Sequence, residues 1–210
     1  MARDDQKRWD EKHASRHGKG GPSPFLREIL AASSWQIQPG RALDIATGKG
    51  RNAFFLAEKG FHVEAVDISE VALQEGRRAA EQKGLPVNFR QADLDRIELP
   101  EGAYDLILNF NFLQRSLIPK MKMALKLGGY IVFETYLIDQ RVLGHPSNPA
   151  HLLGHNELLE LFRDFRILYY REGKFFESGQ EAYRAGLFGQ KVKMISPPRV
   201  CGLSLFARIG

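Results

Sequence analysis

The sequence predicts an α/β fold in which a mostly parallel sheet carries helices on both faces. Three observations predict it. Strand-sized apolar runs alternate with helix-periodic segments from about residue 40 to residue 138. The first of these strands runs straight into a glycine-rich turn, Gly48-Lys49-Gly50, which opens a helix. The next two strands each end in an acidic residue, Asp67 and Asp93.

Taken in order, residues 1–22 are polar and closed by Gly18, Gly20, Gly21 and Pro22, which reads as a mobile arm or lid. In PSPFLREILAASSW the apolar residues Phe25, Leu26, Ile29 and Leu30 keep a helical spacing, and Pro39-Gly40 ends that unit. ALDIA (42–46) is a strand and RNAFFLAEKG a helix stopped by Gly60. HVEAVDI (62–68) is a strand. The helix over 69–84 has Ser69 to cap its start and Gly84 to end it. VNFRQADL (87–94) and YDLILNFNF (104–112) are strands, LIPKMKMALKLGG (117–129) a helix with a glycine stop, and YIVFETYLI (130–138) a strand. Residues 139–155, rich in Pro and Gly, read as loop. NELLELFRDF (156–165) then reads as a helix and RILYYREG (166–173) as a strand. EAYRAGLFGQKV (181–192) and VCGLSLFARI (200–209) are further strand candidates, at least one of which hairpins back antiparallel. The expected division is an N-terminal arm over 1–24 and a single domain over 25–210.

Composition narrows the class. The chain has 210 residues, 43% hydrophobic and 26% charged, an ordinary globular balance. No apolar stretch approaches the roughly 18 residues of a membrane span. The first residues lack the apolar segment of a signal peptide, so a cytoplasmic location is the default expectation. Cys201 is the only cysteine, which excludes an internal disulfide framework and a cysteine-rich metal site. His145, His151 and His155 have no carboxylate or cysteine at firm spacing to complete a ligand set, so no metal is expected. A net charge of +5 raises the prior for anionic partners, but the basic residues are scattered. The stretch FRILYYREGKFF is better read as sheet core than as a stacking platform for single strands. Nucleic acid is not expected as a partner, nor a membrane; oligomeric state is open.

The informative segment is LDIATGKGRNA (43–53). Its glycines let the chain turn tightly and a ligand approach the backbone. The helix beginning near Arg51 aims free N–H groups and its positive dipole end at that ligand. Asp67, about 20 residues beyond, is placed to bind ribose hydroxyls. Asp93 can take the exocyclic amine of adenine, with Ile68 and Leu94 against the ring. Singly, each Asp can equally be a helix cap or a solvated loop residue. Together, three consecutive strand ends favour an adenosine-containing ligand.

Gly48 to Ala53 also fits G-x-G-x-x-A, so a nicotinamide or flavin dinucleotide is an alternative. Asp44 argues against it, because a carboxylate inside the first strand is unwelcome beside a pyrophosphate. A positively charged sulfonium ligand with an amino group tolerates that carboxylate. The chain also lacks a second substrate domain.

LDIATGKGRNA, VEAVDIS, QADL, YDLILNFNFL and LKLGGYIVFETY together resemble class I S-adenosylmethionine-dependent methyltransferases over roughly residues 40–138. RWDEKHA extends the resemblance thinly towards the N-terminus. The runs G-K-G-R-N-A and R-S-L-I-P-x-x-x-x-A-L-K-L-G-G look most like the tellurite-resistance and thiopurine branch. The resemblance implies a Rossmann-like, doubly wound, seven-stranded sheet whose last strand is antiparallel. It also implies S-adenosylmethionine as cofactor. Asp44, Gly48 and Gly50 would hold its methionine end, with Ala46, Arg51 and Asn52 in the same turn. Asp67 would hold the ribose, Asp93 and Leu94 the adenine, and Asn109 would face the methyl-transfer site. Trp9 matches an aromatic that covers the cofactor. Ala46 stands where the family usually has its first glycine, and His13 where relatives often carry tyrosine.

The activity so implied is methyl transfer to a small-molecule acceptor, a thiol or a metalloid oxyanion. A soft nucleophile needs no general base, whereas an alcohol or amine does. Asn111, Glu134 and Tyr136, at the ends of the fourth and fifth strands, are candidate acceptor contacts; for Glu134 a capping or ion-pair role is favoured over that of a base. No catalytic residue is assigned. NFNF (109–112) lacks the paired prolines of amino-methylating nucleic-acid enzymes. Two other classes remain: an NAD(P)-dependent oxidoreductase, and a non-catalytic module that binds the cofactor and a protein partner.

Overall fold

The computed structural model describes residues 6–7, 9–11, 20–177 and 179–193. His13, Cys201 and the strand candidate over 200–209 lie outside these residues. The elements are α1 (Pro24–Ala31), β1 (Arg41–Ile45), α2 (Arg51–Glu58), β2 (His62–Asp67), α3 (Glu70–Lys83), β3 (Val87–Gln91) and β4 (Tyr104–Phe110). They continue with α4 (Ile118–Ala124), β5 (Leu125–Tyr136), α5 (Glu157–Leu161), β6 (Phe165–Glu177) and β7 (Gln180–Lys191). The seven strands form one sheet in the order β3-β2-β1-β4-β5-β7-β6. β1 to β5 pair in parallel, and β7 runs antiparallel between β5 and β6. This is the doubly wound, mostly parallel sheet with an antiparallel last strand that the sequence predicts.

The apolar periodicities decide which face each helix covers. Phe25, Leu26 and Ile29 of α1, Leu56 of α2 and Leu73 of α3 pack with Ala42, Ala65, Leu108 and Val132 on one face. Ile118 and Met121 of α4, with Leu158 of α5, pack with Leu43, Ile107, Ile131 and Leu187 on the other. Burying both faces lets β1 and β4 read as continuous apolar runs. The expected caps of α3 form as well. Ser69 Oγ accepts from the Ala72 N–H at 3.2 Å, and Gly84 adopts φ 63° at the C-terminus.

The structure corrects several expected boundaries. The helix expected over 117–129 ends at Ala124, and Leu125 already belongs to β5. Gly102 and Ala103 donate their N–H groups to the carbonyls of Met123 and Ala124 at 3.0 and 2.8 Å, which takes acceptors a longer helix would have used. Four residues, 126–129, then loop out opposite Asp105, since Tyr104 pairs with Leu125 and Leu106 with Tyr130. The Asp105 carboxylate holds the irregularity by accepting from Lys126 Nζ at 2.8 Å and from the Arg41 N–H at 2.8 Å. The helix expected over 156–165 shrinks to Glu157–Leu161, because Phe162 and Phe165 turn into the core beside each other, ring centroids 5.3 Å apart. β6 runs four residues beyond the expected strand, to Glu177. It pairs with β7 throughout, and the hairpin closes between Glu177 and Gln180 with Gly179 at φ 79°. The segment after β5 contains two short 3-10 turns, Ile138–Leu143 and Pro149–His151.

Close packing at the glycine turn depends on one ring. An added Cβ at Gly50 or at Gly76 would lie 2.7 Å from the Phe89 side chain, so the ring fills the space both glycines leave. Gly50 also has φ 85°, a left-handed conformation that L side chains pay strain to adopt. Gly50→Ala is therefore expected to destabilise the protein by about 2–4 kcal/mol, combining left-handed strain with overpacking. Ala46, at φ 51°, already bears such strain. Ala46→Gly is expected to stabilise by less than about 1 kcal/mol, because greater unfolded-chain entropy offsets part of the relief. Urea denaturation of both variants checks the opposite signs.

Candidate functional site

The carboxyl ends of β1, β2, β3 and β4 converge on one rim, where open α/β sheets bind ligands. Asp44 is 1% exposed near the end of β1. Its Oδ2 accepts from Thr47 Oγ1 at 2.5 Å. Burial pushes its carboxyl up to about 7; the Thr47 hydroxyl, the Arg51 guanidinium and the Ala53 N–H oppose that rise, and Asp67 adds to it. A buried, half-neutralised carboxylate beside a helix N-terminus suits a ligand that brings its own positive charge.

Asp67 is 7% exposed at the end of β2. It spans the turn: Oδ2 accepts from the Gly48 N–H at 2.7 Å and Oδ1 from the Ser69 N–H at 2.9 Å. Each oxygen keeps lone-pair capacity for a hydroxyl. Gly48, at φ 58°, and Gly50 turn the backbone beneath this carboxylate. Ala46 and Ile68 are half-buried on the same rim. Beyond β3, half-buried Asp93 accepts from the Asp95 N–H at 3.0 Å, and Leu94 is buried beside it. The structure thus brings Asp44, Ala46, Gly48, Gly50, Asp67, Ile68, Asp93 and Leu94 to one continuous edge.

Other residues named from the sequence do different work. Arg51 is exposed and acts on Asp44 through its charge. The Asn52 amide is buried and its Oδ1 accepts from the Ser23 N–H at 2.9 Å, which anchors the start of α1 to α2. Asn109 is 1% exposed and donates from Nδ2 to the Phe112 carbonyl at 2.7 Å, closing the turn after β4. Trp9 is half-buried in a helical turn. Its neighbour Asp10 accepts from Ser69 Oγ at 2.5 Å, at the start of α3, so this part of the expected arm is docked on the rim.

The ends of β4 and β5 meet β6 and β7 in a second polar cluster. Glu134 is 2% exposed, and its Oε1 accepts from Arg171 Nη2 at 2.5 Å. Burial raises its carboxyl above the usual range, against the pull of Arg184 and Arg171. Arg171 lies between the rings of Phe25 and Phe175, 4.6 and 4.5 Å from their centroids. Arg184 donates to Asn111 Oδ1 at 2.6 Å and to the Tyr136 hydroxyl at 3.0 Å. Asn111 itself sits at φ 56°, held by its N–H to the Glu134 carbonyl at 2.9 Å. Asn111, Glu134 and Tyr136 therefore do come together, around two arginines.

Sequence reasoning missed Thr47, Arg171 and Arg184. Thr47 had a local signal, a hydroxyl three residues after the strand carboxylate. The arginines had none, because only the β5–β7–β6 register brings them to this rim. Among the described residues, no group of three or more His, Cys, Asp or Glu is arranged to hold a metal ion. His155 instead pairs with Asp139 at 2.6 Å, which raises its imidazole. No helix among the described residues is long and apolar enough to cross a membrane.

Comparison with known proteins agrees with this geometry. Residues 42–129 match the family model described as a methyltransferase domain. The probable S-adenosyl-L-methionine-dependent methyltransferase TehB of Haemophilus influenzae is 27% identical over 165 residues, 75% of this chain. The chain spans 55% of the length of that relative. A solved structure of TehB from Haemophilus influenzae, 23% identical, matches with a TM-score of 0.64 over 79% of this chain and 65% of that one. A second structure, from work on the conversion of a disulfide bond into a thioacetal group during echinomycin biosynthesis, is 19% identical. It matches with a TM-score of 0.68 over 89% of this chain and 92% of that one. Those two structural likenesses speak to the fold. The matched family model and the sequence relative make the chain similar to S-adenosylmethionine-dependent methyltransferases, TehB among them.

Proposed function

We propose that this chain transfers the methyl group of S-adenosylmethionine to a small-molecule acceptor, a thiol or a metalloid oxyanion. The observation that carries the reading is the buried Asp44 carboxylate in β1 beside the glycine turn, with Asp67 at the end of β2 and Asp93 in the turn beyond β3. The residues fit the cofactor: Asp44 offers a buried carboxylate to its amino group, and Gly48, at φ 58°, turns the backbone beneath Asp67. Asp67 would hold the ribose hydroxyls and Asp93 the adenine amine, with Leu94 against the ring. The cofactor supplies a methyl carbon already activated by a sulfonium charge.

The protein's own task is alignment and exclusion of water. Asn111 and Tyr136 fix the Arg184 guanidinium at the acceptor rim, beside the turn that Asn109 closes after β4. Arg171 is committed to Glu134, Glu177 and Glu28, whereas Arg184 approaches one carboxylate, Glu134, at 3.8 Å. Its remaining N–H donors suit an oxyanion, or a thiol carrying a carboxylate. Glu134 is engaged by Arg171, and by Ser23 Oγ at 3.3 Å, so it is placed as an ion-pair partner and not as a base. A soft acceptor needs no base, which fits the engagement of Glu134. Trp9, next to the docked Asp10, would cover the cofactor.

Calorimetric titration with S-adenosylhomocysteine, with NADH and NADPH as controls, tests the reading. Saturable binding of the homocysteine product alone is expected. Asp67→Ala is expected to weaken it about 10- to 100-fold, the worth of charge-assisted hydrogen bonds. Binding of a nicotinamide cofactor instead, or of neither, overturns the reading. Turnover is then assayed with small thiols, selenite and tellurite, where Arg184→Ala should raise KM for anionic acceptors.

The raised carboxyl of Asp44 makes binding pH-dependent. Its folded value, about 7, lies above the ordinary 3.8, so the free folded protein holds an extra proton between these values. The stability contributed by this group is therefore full below 3.8 and lost as pH rises to 7. A cationic amino group needs the ionised form. Affinity for S-adenosylhomocysteine is expected to rise by up to about tenfold per pH unit towards pH 7 and level off above it. Titrations of the native protein and of Asp44→Asn, which should bind weakly with a flat profile, check this.

A further inference from the structure

The turn after β4 does more than close the strand. Gln114 and Arg115 are adjacent in sequence and reach in opposite directions. Half-buried Gln114 donates from Nε2 to Asp95 Oδ1 at 2.8 Å and to the Leu94 carbonyl at 3.3 Å. Those acceptors belong to the turn that carries Asp93, whose Oδ1 accepts from the Asp95 N–H and whose carbonyl accepts from the Arg96 N–H. Arg115 reaches across the acceptor rim to the segment after β5. Its guanidinium grips Glu157 in two-pronged fashion, Nε to Oε1 at 2.5 Å and Nη2 to Oε2 at 2.9 Å. The same group donates to the carbonyls of Ala150 at 3.0 Å and Leu152 at 2.9 Å. A two-pronged ion pair with two further carbonyl bonds uses nearly all the donors of a guanidinium and admits one orientation.

The segment so gripped lies against the acceptor rim. Leu153 donates its N–H to the Tyr136 carbonyl at 2.9 Å, and its carbonyl accepts from the Ile138 N–H at 2.8 Å. Tyr136 is the residue whose hydroxyl accepts from Arg184. A chain of direct contacts therefore runs from the adenine-side turn at Asp93–Asp95, through Gln114 and Arg115, to residues 150–157, and on to Tyr136 and Arg184. Nothing in the local sequence requires polar residues at 114 and 115 to be spent this way, since Leu113 and Leu117 supply the buried contacts of the same turn.

We propose that Gln114 and Arg115 act as a crossbar of positioning residues, through which occupancy of the adenine subsite sets the placement of the acceptor-side segment 138–157. The crossbar rests on the reading that the rim binds an adenosine-containing methyl donor. An adenine held by Asp93 and Leu94 orders the turn that Gln114 grips, and the adjoining Arg115 passes that order to the acceptor side. Coupling of this kind is a free energy between two sites, read as a ratio of protections.

Hydrogen exchange of the full chain, with and without saturating S-adenosylhomocysteine, measures it. In the native protein the amides of 138–157 are expected to exchange about fivefold or more slowly when the ligand is bound. Gln114→Ala should still bind the ligand, yet change exchange in 138–157 by less than about twofold on binding. Asp95→Ala breaks the same contact from its exposed end and should behave alike. Arg115→Lys, which loses the two-pronged grip, should exchange fast in 138–157 with or without ligand. Equal ligand-induced protection in native protein and in both Gln114→Ala and Asp95→Ala overturns the crossbar, as does a native protein that binds without protecting 138–157. A native protein that shows no calorimetric binding of S-adenosylhomocysteine fails the reading beneath it instead.

Discussion

The cofactor half of this protein is organised around one buried carboxylate. A charge near the end of β1, shielded from water, is costly unless hydrogen-bonded and faced by positive potential. The chain meets that demand by turning at once. Ala46, Gly48 and Gly50 all adopt left-handed backbone within five residues, which brings the Thr47 hydroxyl, the Ala53 N–H and the Arg51 charge onto Asp44. So sharp a turn leaves a hollow, and the Phe89 ring fills it from below while resting against Gly76 of α3. The spacing of β1, α2, α3 and β3 thus follows from backbone folded around Asp44 and a ring placed to support it.

The polar cluster at the ends of β4 and β5 solves the same problem by a different route. Glu134 is as deeply buried as Asp44, but it has a guanidinium in contact, and that guanidinium lies between two phenyl rings. The contrast has chemical meaning. A carboxylate with its counter-ion in contact acts as a scaffold, whereas Asp44 leans on the Thr47 hydroxyl, the Ala53 N–H and the Arg51 charge. Asp44 and Glu134 therefore differ through their neighbours, not their depth. Ser23 stands between these halves, its N–H on Asn52 of α2 and its hydroxyl towards Glu134.

Much of the cofactor half was legible because its determinants are local. The junction from Leu43 to Ala53 contains strand, turn glycines and helix start within eleven consecutive residues, and Ser69 and Gly84 bracket α3 by side chains that act within a turn. Asp67 was readable for the same reason, since it follows the glycine turn at a fixed interval and its partners are Gly48 and Ser69. Asn52 and Asn109 show the limit. Both lie where an amide suits a ligand, yet one is taken by Ser23 from 29 residues away and the other by the turn it closes. The end of α4 was misplaced because the groups that stop it, the N–H groups of Gly102 and Ala103, come from another loop.

By itself the sequence determined the alternation of strands and helices, the glycine turn and the acidic strand ends, since hydrophobic period, capping and backbone freedom act over a few residues. The carboxylates proposed to hold the ligand were legible for the same reason: Asp44 lies in β1 and Asp67 ends β2, next to the turn. Only the tertiary structure decided which side chains gather at the ends of β4 and β5. Arg171 and Arg184 reach Glu134, and Arg115 reaches Glu157, through strand register and loop placement set by packing of the whole sheet. Such partners lie tens of residues apart, and a shift of one residue in β6 or β7 would turn Arg171 or Arg184 to the opposite face.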